Sequence, residues 1–198
     1  DIPDPLIWLS YIAAATEKIR LGTGVIIVPQ RNPLITAKAV ATLDRLSKGR
    51  MILGVGSGWL EEEFDALGVP FERRGDRTDE YLRAMKAAWS GETASFQGDF
   101  VDFRDVYSRP QPVDRHVPII VGGHSRRAAR RAGEIGDGFF PGRGRPEELS
   151  ALFDHARRTA EGCGRDPAAL EFTAGGPTTP EYVEQLAAIG VSRMIVPP

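Results

Sequence analysis

The sequence predicts a parallel α/β protein, and three observations carry that expectation. Short apolar runs alternate with amphipathic helical stretches along nearly all of the 198 residues. Asp4-Pro5, Asn32-Pro33 and Thr179-Pro180 each place a capping side chain just before a proline, the order that starts a helix with a satisfied N–H and a preset φ. The run from Arg50 to Gly58 is continuously apolar or glycine apart from its ends, as a strand buried on both faces reads.

The elements follow in order. Asp4–Arg20 is expected to be a helix with Leu6, Leu9, Ile12, Ala13 and Ile19 largely on one face. Leu21–Val28 is the first strand. The helix opened by Asn32-Pro33 carries a stripe of Ile35, Ala39, Leu43 and Leu46 and stops at Gly49. Arg50–Gly58 is the second strand, followed by a short helix over Leu60–Leu67 and a longer one over Asp76–Trp89, whose buried face is Tyr81, Leu82, Met85 and Trp89. Residues near 94–106 read as a small hairpin turning at Gln97-Gly98, an insertion off the main alternation. Strands are then expected at Pro118–Val121, Gly138–Phe140, Leu170–Ala174 and Arg193–Val196. The helices between them are Arg126–Ile135, Pro146–Gly162 (striped by Leu149, Leu152, Phe153 and Ala156) and one capped by Thr179 with Tyr182, Leu186 and Ile189. Alternation of this kind means a parallel sheet with helices packed outside it. Two architectures compete: an open doubly wound sheet, or a (β/α)8 barrel with about six of its strands, since a whole barrel takes ~250 residues. Periodicity does not choose between them.

Composition narrows the function. With 41% hydrophobic and 26% charged residues the chain is expected to form one globular domain over residues 1–198, stable without disulfides or metals. A net charge of −2 lacks the basic excess of a nucleic-acid binder. No run approaches the ~20 apolar residues of a membrane span, and no signal peptide is visible. Cys163 is the single cysteine, so a reducing cytoplasm is expected; in "EGCGRDP" it reads as an incidental thiol at a polar helix end. The chain opens with Asp1 rather than Met, and it is expected to start after the beginning of its gene.

Ligands of parallel α/β folds gather at the carboxyl ends of strands, where three glycine-rich stretches lie. In "GTGVIIVPQRNP", Thr23-Gly24 removes side chains inside an apolar strand, either for packing or a bulge, or where a flat ligand presses on the backbone. In "ILGVGSGW", Gly54, Gly56 and Gly58 evoke a dinucleotide-binding fingerprint. Trp59 stands where its last glycine belongs, and no acidic strand end follows ~20 residues on, so a nicotinamide cofactor is rejected. The acidic run Glu61–Glu63 beside it reads as a helix first turn favoured by the dipole rather than a metal site. In "VPIIVGGHSRRAARRAGEIGDGFFPG", Gly122-Gly123 admits a ligand to the backbone N–H groups of His124, Ser125 and Arg126, with Ser125 as a further donor, which is a ready phosphate site. Arg126, Arg127, Arg130 and Arg131 are expected to spread positive charge behind it; the alternative is a glycine-turned strand end before a solvated basic helix. The histidines have no metal-ligand spacing, and no nucleophile–base arrangement is present.

In order, "RLGTGVIIVPQRNPLITAKAVATLDRLSKGRMILGVGSGW", "RPQPVDRHVPIIVGGHS", "GEIGDGFFP" and the strand ending "IVPP" resemble the bacterial-luciferase-like flavin and deazaflavin oxidoreductases, most closely the actinobacterial branch that uses coenzyme F-420. The resemblance implies a TIM-barrel-like (β/α)8 fold whose first two strand units are absent from this chain. It implies a non-proline cis peptide at Gly24-Val25, beside Thr23, against the cofactor's central ring. Ser57 and Gly58 are to lie beside the ring and side chain. Gly122, Gly123, His124 and Ser125 form the phosphate turn, with Gly142 on the following loop. It implies hydride transfer between the deazaflavin F-420 and a small organic substrate. The alternatives are an FMN-dependent monooxygenase served by a separate reductase, or a non-catalytic flavin-binding or structural relative. A homodimer is expected. Related sugar-phosphate dehydrogenases place an acidic glutamate where this chain has Trp59, so that activity is not expected and Trp59 reads as a packed aromatic wall. The family's catalytic His and Asp usually lie in the second strand unit, so no catalytic acid or base is named.

Overall fold

The computed structural model describes residues 3–196. They fall into two compact units, one ending at Pro118 and the other beginning at Ile119.

The first unit opens with α1 (Pro5–Ala15), capped by Asp4 Oδ1, which accepts from the N–H groups of Leu6 at 3.0 Å and Ile7 at 3.2 Å. The helix ends at Ala15, five residues short of the predicted Arg20, and Ile19 lies beyond it in a turn, largely exposed. Arg50 explains this end. Its guanidinium donates to the carbonyls of Ala13, Thr16, Ile19 and Ser47 and to Thr16 Oγ1, all at 2.8–3.0 Å, so carbonyls the helix leaves open find a cation instead of another turn.

The first predicted strand is two short ones, β1 (Leu21–Gly22) and β2 (Ile26–Ile27), each pairing in parallel with β3 (Met51–Gly56), and Val28–Gln30 is a 3-10 turn. After that turn and before β3 comes α2 (Pro33–Leu46), capped by Asn32. Its buried face is Pro33, Thr36, Ala37, Val40, Ala41, Leu43 and Asp44; of the predicted stripe, Ile35 and Leu46 are exposed and Ala39 is only half-buried. Small and polar residues share the inner face with Val40 and Leu43. Trp89 Nε1 donates to the Ala37 carbonyl at 3.0 Å, and Asp44 Oδ2 accepts from Val113 N at 2.9 Å.

After β3, buried at every position, come α3 (Glu61–Ala66) with its three glutamates in the first turn, and α4 (Arg74–Ser90). Leu82, Met85 and Trp89 are buried on α4 as predicted, while Tyr81 is half-buried and its hydroxyl is held above the usual tyrosine value, chiefly by burial. The hairpin β4 (Thr93–Gln97) and β5 (Asp102–Tyr107) is antiparallel. Glu80 of α4 gathers its turn, accepting from the N–H groups of Asp99, Phe100 and Val101 at 2.7–2.9 Å. A side chain at Gly98 would strike that carboxylate.

The second unit runs β6 (Ile119–Gly122), α5 (Arg126–Glu134), β7 (Gly138–Phe140), α6 (Pro146–Gly162), β8 (Glu171–Gly175), α7 (Pro180–Ala188) and β9 (Val191–Ile195). All its strands pair in parallel, β6 with β7, β7 with β8 and β8 with β9. Phe139, Phe153 and Phe172 are fully or almost fully buried and pack edge-on or tilted between strand and helix. Gly133 lets α5 approach α6, since a Cβ there would come 2.7 Å from Thr159 Cβ. On α7 only Leu186 of the predicted Tyr182, Leu186 and Ile189 is buried; the Tyr182 hydroxyl instead donates to the Gly144 carbonyl at 2.9 Å. Cys163 is an exposed helix-end residue.

Candidate functional site

In the first unit the sequence that separates β1 from β2 is Thr23-Gly24-Val25, and the Gly24–Val25 peptide bond is cis, the geometry the resemblance implies there. The segment is tied to β3 by Thr23 Oγ1, which donates to the Gly54 carbonyl at 2.8 Å, and by Thr23 N to the Ile52 carbonyl at 3.3 Å. This closeness accounts for the second glycine stretch. A Cβ on Gly54 would run into the Thr23 carbonyl, and one on Gly56 would stand 2.9 Å from Val25 Cγ2. Gly58 has φ +80 with Ile27 and the Phe64 ring against it. Gly54 thus serves the approach of one backbone to another, while Gly56 and Gly58 leave room for the side chains of Val25, Ile27 and Phe64. Gly24 is different: a Cβ built there meets nothing within 4 Å.

Ser57 and Gly58 close β3, and the first turns of α4 hold both. Ser57 Oγ lies 3.0 Å from Thr78 Oγ1, and Arg74 Nε donates to the Gly58 carbonyl at 3.1 Å while its guanidinium stacks 3.8 Å over the Phe71 ring. Sequence reasoning missed Arg74 and Thr78; the string "RRGDRTDEYL" marks a helix but carries no motif that ties it to a strand 16 to 21 residues earlier. Trp59 corrects an expectation. It is 80% exposed, not a packed wall, and lies between the anchored Ser57-Gly58 pair and α3.

In the second unit β6 ends at Gly122, and Gly123 takes φ +131 with its N–H donating to the Phe140 carbonyl at 3.2 Å. Ser125 caps α5: its Oγ accepts from Ala128 N at 3.2 Å, and the first backbone bond of the helix is Ala129 N to the Ser125 carbonyl. The N–H groups of Arg126 and Arg127 precede that bond and are the helix's unpaired donors by position. Gly142 has φ +86, and a Cβ on it would come 2.6 Å from His124 Cε1. The structure therefore brings Gly122, Gly123, His124, Ser125 and Gly142 together, and His124 to Arg127 are exposed.

The four arginines do not share one open face. Arg131 is only 3% exposed, and Arg130 forms an ion pair with Glu134 at 2.6 Å. Arg126 and Arg127 carry the exposed charge. His155 of α6 was not singled out from the sequence. Burial and then the charges of Arg126, Arg158 and Arg130 hold its imidazole below the usual 6.5. Among the described residues no three His, Cys, Asp or Glu side chains group to hold a metal ion, and no helix is long and apolar enough to cross a membrane.

Parallel strands ending in a cis-peptide bulge and in a glycine turn at a helix N-terminus define an α/β protein that can offer bare backbone to a ring and N–H groups to an anion. A family model for luciferase-like monooxygenases matches residues 1–188, and the chain belongs to that family. Its members include both F420-dependent and FMN-dependent oxidoreductases. An F420-dependent glucose-6-phosphate dehydrogenase of Kineococcus radiotolerans is 36% identical over 179 residues, 86% of this chain and 52% of that protein. The FMNH2-dependent dimethylsulfone monooxygenase of Pseudomonas putida is 36% identical over 157 residues, 77% of this chain and 43% of that protein. Among solved structures, an F420-dependent secondary alcohol dehydrogenase in complex with an F420-acetone adduct aligns with TM-score 0.80 at 25% identity, over 87% of this chain and 54% of that one. The likeness shows the TIM-barrel-like α/β fold, of which the described residues hold six parallel strand positions when β1 and β2 are taken as one. The chain spans 42 to 64% of the length of such curated relatives.

Proposed function

We propose that the chain belongs to a deazaflavin-dependent oxidoreductase that exchanges a hydride between coenzyme F-420 and a small organic substrate. The observation that carries the reading is the Thr23–Val25 bulge: it is bonded to β3 on one side, and where a side chain would stand on Gly24 there is open space to 4 Å. A flat ring can lie against such a surface. Taken by itself, the second unit offers a phosphate the N–H groups that follow Gly123 and the Ser125 hydroxyl, with Gly142 leaving room for His124. When bound, the cofactor supplies the hydride chemistry; the protein positions it and keeps water away. The F-420 choice is supported by the Kineococcus relative, whose match covers more of this chain than the FMNH2-dependent one does. Trp59, in place of an acidic residue, argues against a sugar phosphate as the substrate.

The Pseudomonas relative, at the same identity, favours a second reading: an FMN-dependent monooxygenase fed by a separate reductase. Titration of the purified chain with F-420 and FMN in parallel, followed by ligand fluorescence, separates the two. Preferential binding of F-420 at micromolar or lower concentration is the expected result. Preference for FMN would promote the monooxygenase, and binding of neither would overturn both. The cytoplasm, expected from a single cysteine, belongs to the same proposal.

A further inference from the structure

Thr78 is fully buried on α4, and its hydroxyl lies 2.7 Å from the Arg74 carbonyl and 3.0 Å from Ser57 Oγ. A hydroxyl has one proton. A threonine inside a helix ordinarily donates it to the carbonyl four residues back, and here that bond is the shorter of the two. With its proton spent on Arg74, Thr78 Oγ1 can meet Ser57 only as an acceptor, so the Ser57 hydroxyl is the donor between them. What Ser57 then offers to anything bound at the end of β3 is its lone pairs.

We infer that Thr78 is a positioning residue that fixes the Ser57 hydroxyl as a hydrogen-bond acceptor, so that this point takes a donor group of the ligand, a ring N–H or a hydroxyl of a polyol side chain, and not an anionic oxygen. The inference rests on the cofactor reading above. Arg74, one turn before Thr78 on the same helical face, serves the same end by holding the Gly58 carbonyl at 3.1 Å. Residues 57 and 58 are thereby anchored side by side from one helix, although they follow the last residue of a strand.

The test is a double-mutant cycle on the full chain, reading dissociation constants for F-420 and for FMN and, separately, thermal unfolding without ligand. Ser57→Ala should weaken binding of the preferred cofactor about tenfold, the worth of one good hydrogen bond. Thr78→Val, which keeps shape and removes the acceptor, should weaken it several-fold, and Thr78→Ser should restore wild-type affinity. The Ser57→Ala/Thr78→Val double variant should bind no worse than Ser57→Ala alone. If Thr78→Val weakens binding equally with and without Ser57, or leaves it unchanged while Ser57→Ala is impaired, the positioning role is overturned and the cofactor site stands. If Ser57→Ala binds like wild type, Ser57 does not meet the ligand and the inference falls alone. If wild type binds neither cofactor, the cofactor reading itself fails and takes the inference with it. Ligand-free unfolding identifies a variant that is merely misfolded, in which case Thr78→Ser, the conservative change, decides.

Discussion

Gly24 and Gly54 touch the same bulge and answer substitution in opposite ways. Alanine at Gly54 drives its methyl into the Thr23 carbonyl, so the backbone of one strand must move. Overpacking of that kind costs about 1–3 kcal/mol, and urea denaturation should show it. Alanine at Gly24 meets nothing within 4 Å and needs no positive φ, so its stability should stay within about 0.5 kcal/mol of wild type. Its methyl would stand on the surface proposed for the ring, and cofactor affinity should fall at least about tenfold, by an overlap judged on the same steric scale. Loss of stability with intact affinity at Gly24 would sink the proposed ring surface. Arg50 carries a different load. Its five bonds collect four carbonyls and the Thr16 hydroxyl, and Arg50→Met should destabilise the fold by about 2–3 kcal/mol, as lost bonds to a charged donor do. Neither the role of Arg50 nor that of Gly54 is legible from residue type alone, because the clash and all of the acceptors but Ser47 come from residues more than 30 positions away.

Helix α1 is begun by one carboxylate with two duties. Asp4 Oδ1 caps the helix, while Oδ2 meets Arg31 at 2.7 Å. The Arg31 hydrogen bond, ahead of opposing burial and the helix N–H groups, holds the Asp4 carboxyl below its ordinary 3.8. A lowered folded value means the contribution is complete above the unfolded pKa and is lost as pH falls through the folded one. Wild-type stability should therefore drop more steeply than that of Asp4→Asn below pH 3.8, in acid unfolding followed by circular dichroism. With both side chains about one-third exposed, the ion pair itself is worth under about 1 kcal/mol; a difference several times larger would contradict this account. The caps of α1, α2 and α7 were readable because cap and proline act locally. The inner face of α2 was not: Ala37 and Asp44 point inward to meet Trp89 and Val113, 52 and 69 residues away.

Ile7, Trp8 and Tyr11 are all more than half exposed on α1, Trp8 and Tyr11 stack on each other, and Ile35 is exposed on α2. Apolar groups gathered at a surface mark interaction sites, and the expected homodimer is the proposal that would bury them. Sedimentation velocity should then find a dimer that Trp8→Glu converts to monomer; a wild-type monomer at all concentrations would refute it. The alternation of strand and helix, the helix starts and the parallel pairing were written in the sequence, because hydrophobic periodicity and capping depend on residues within a turn or two of each other. The order of the glycine stretches also carried the family and the place of the cis peptide. Contacts between distant segments settled the rest. They split the first strand around Thr23–Val25, turned Trp59 outward, buried Arg131 and joined Ser57 to Thr78, for a side chain's partner depends on what packs against it, and periodicity records only that something does.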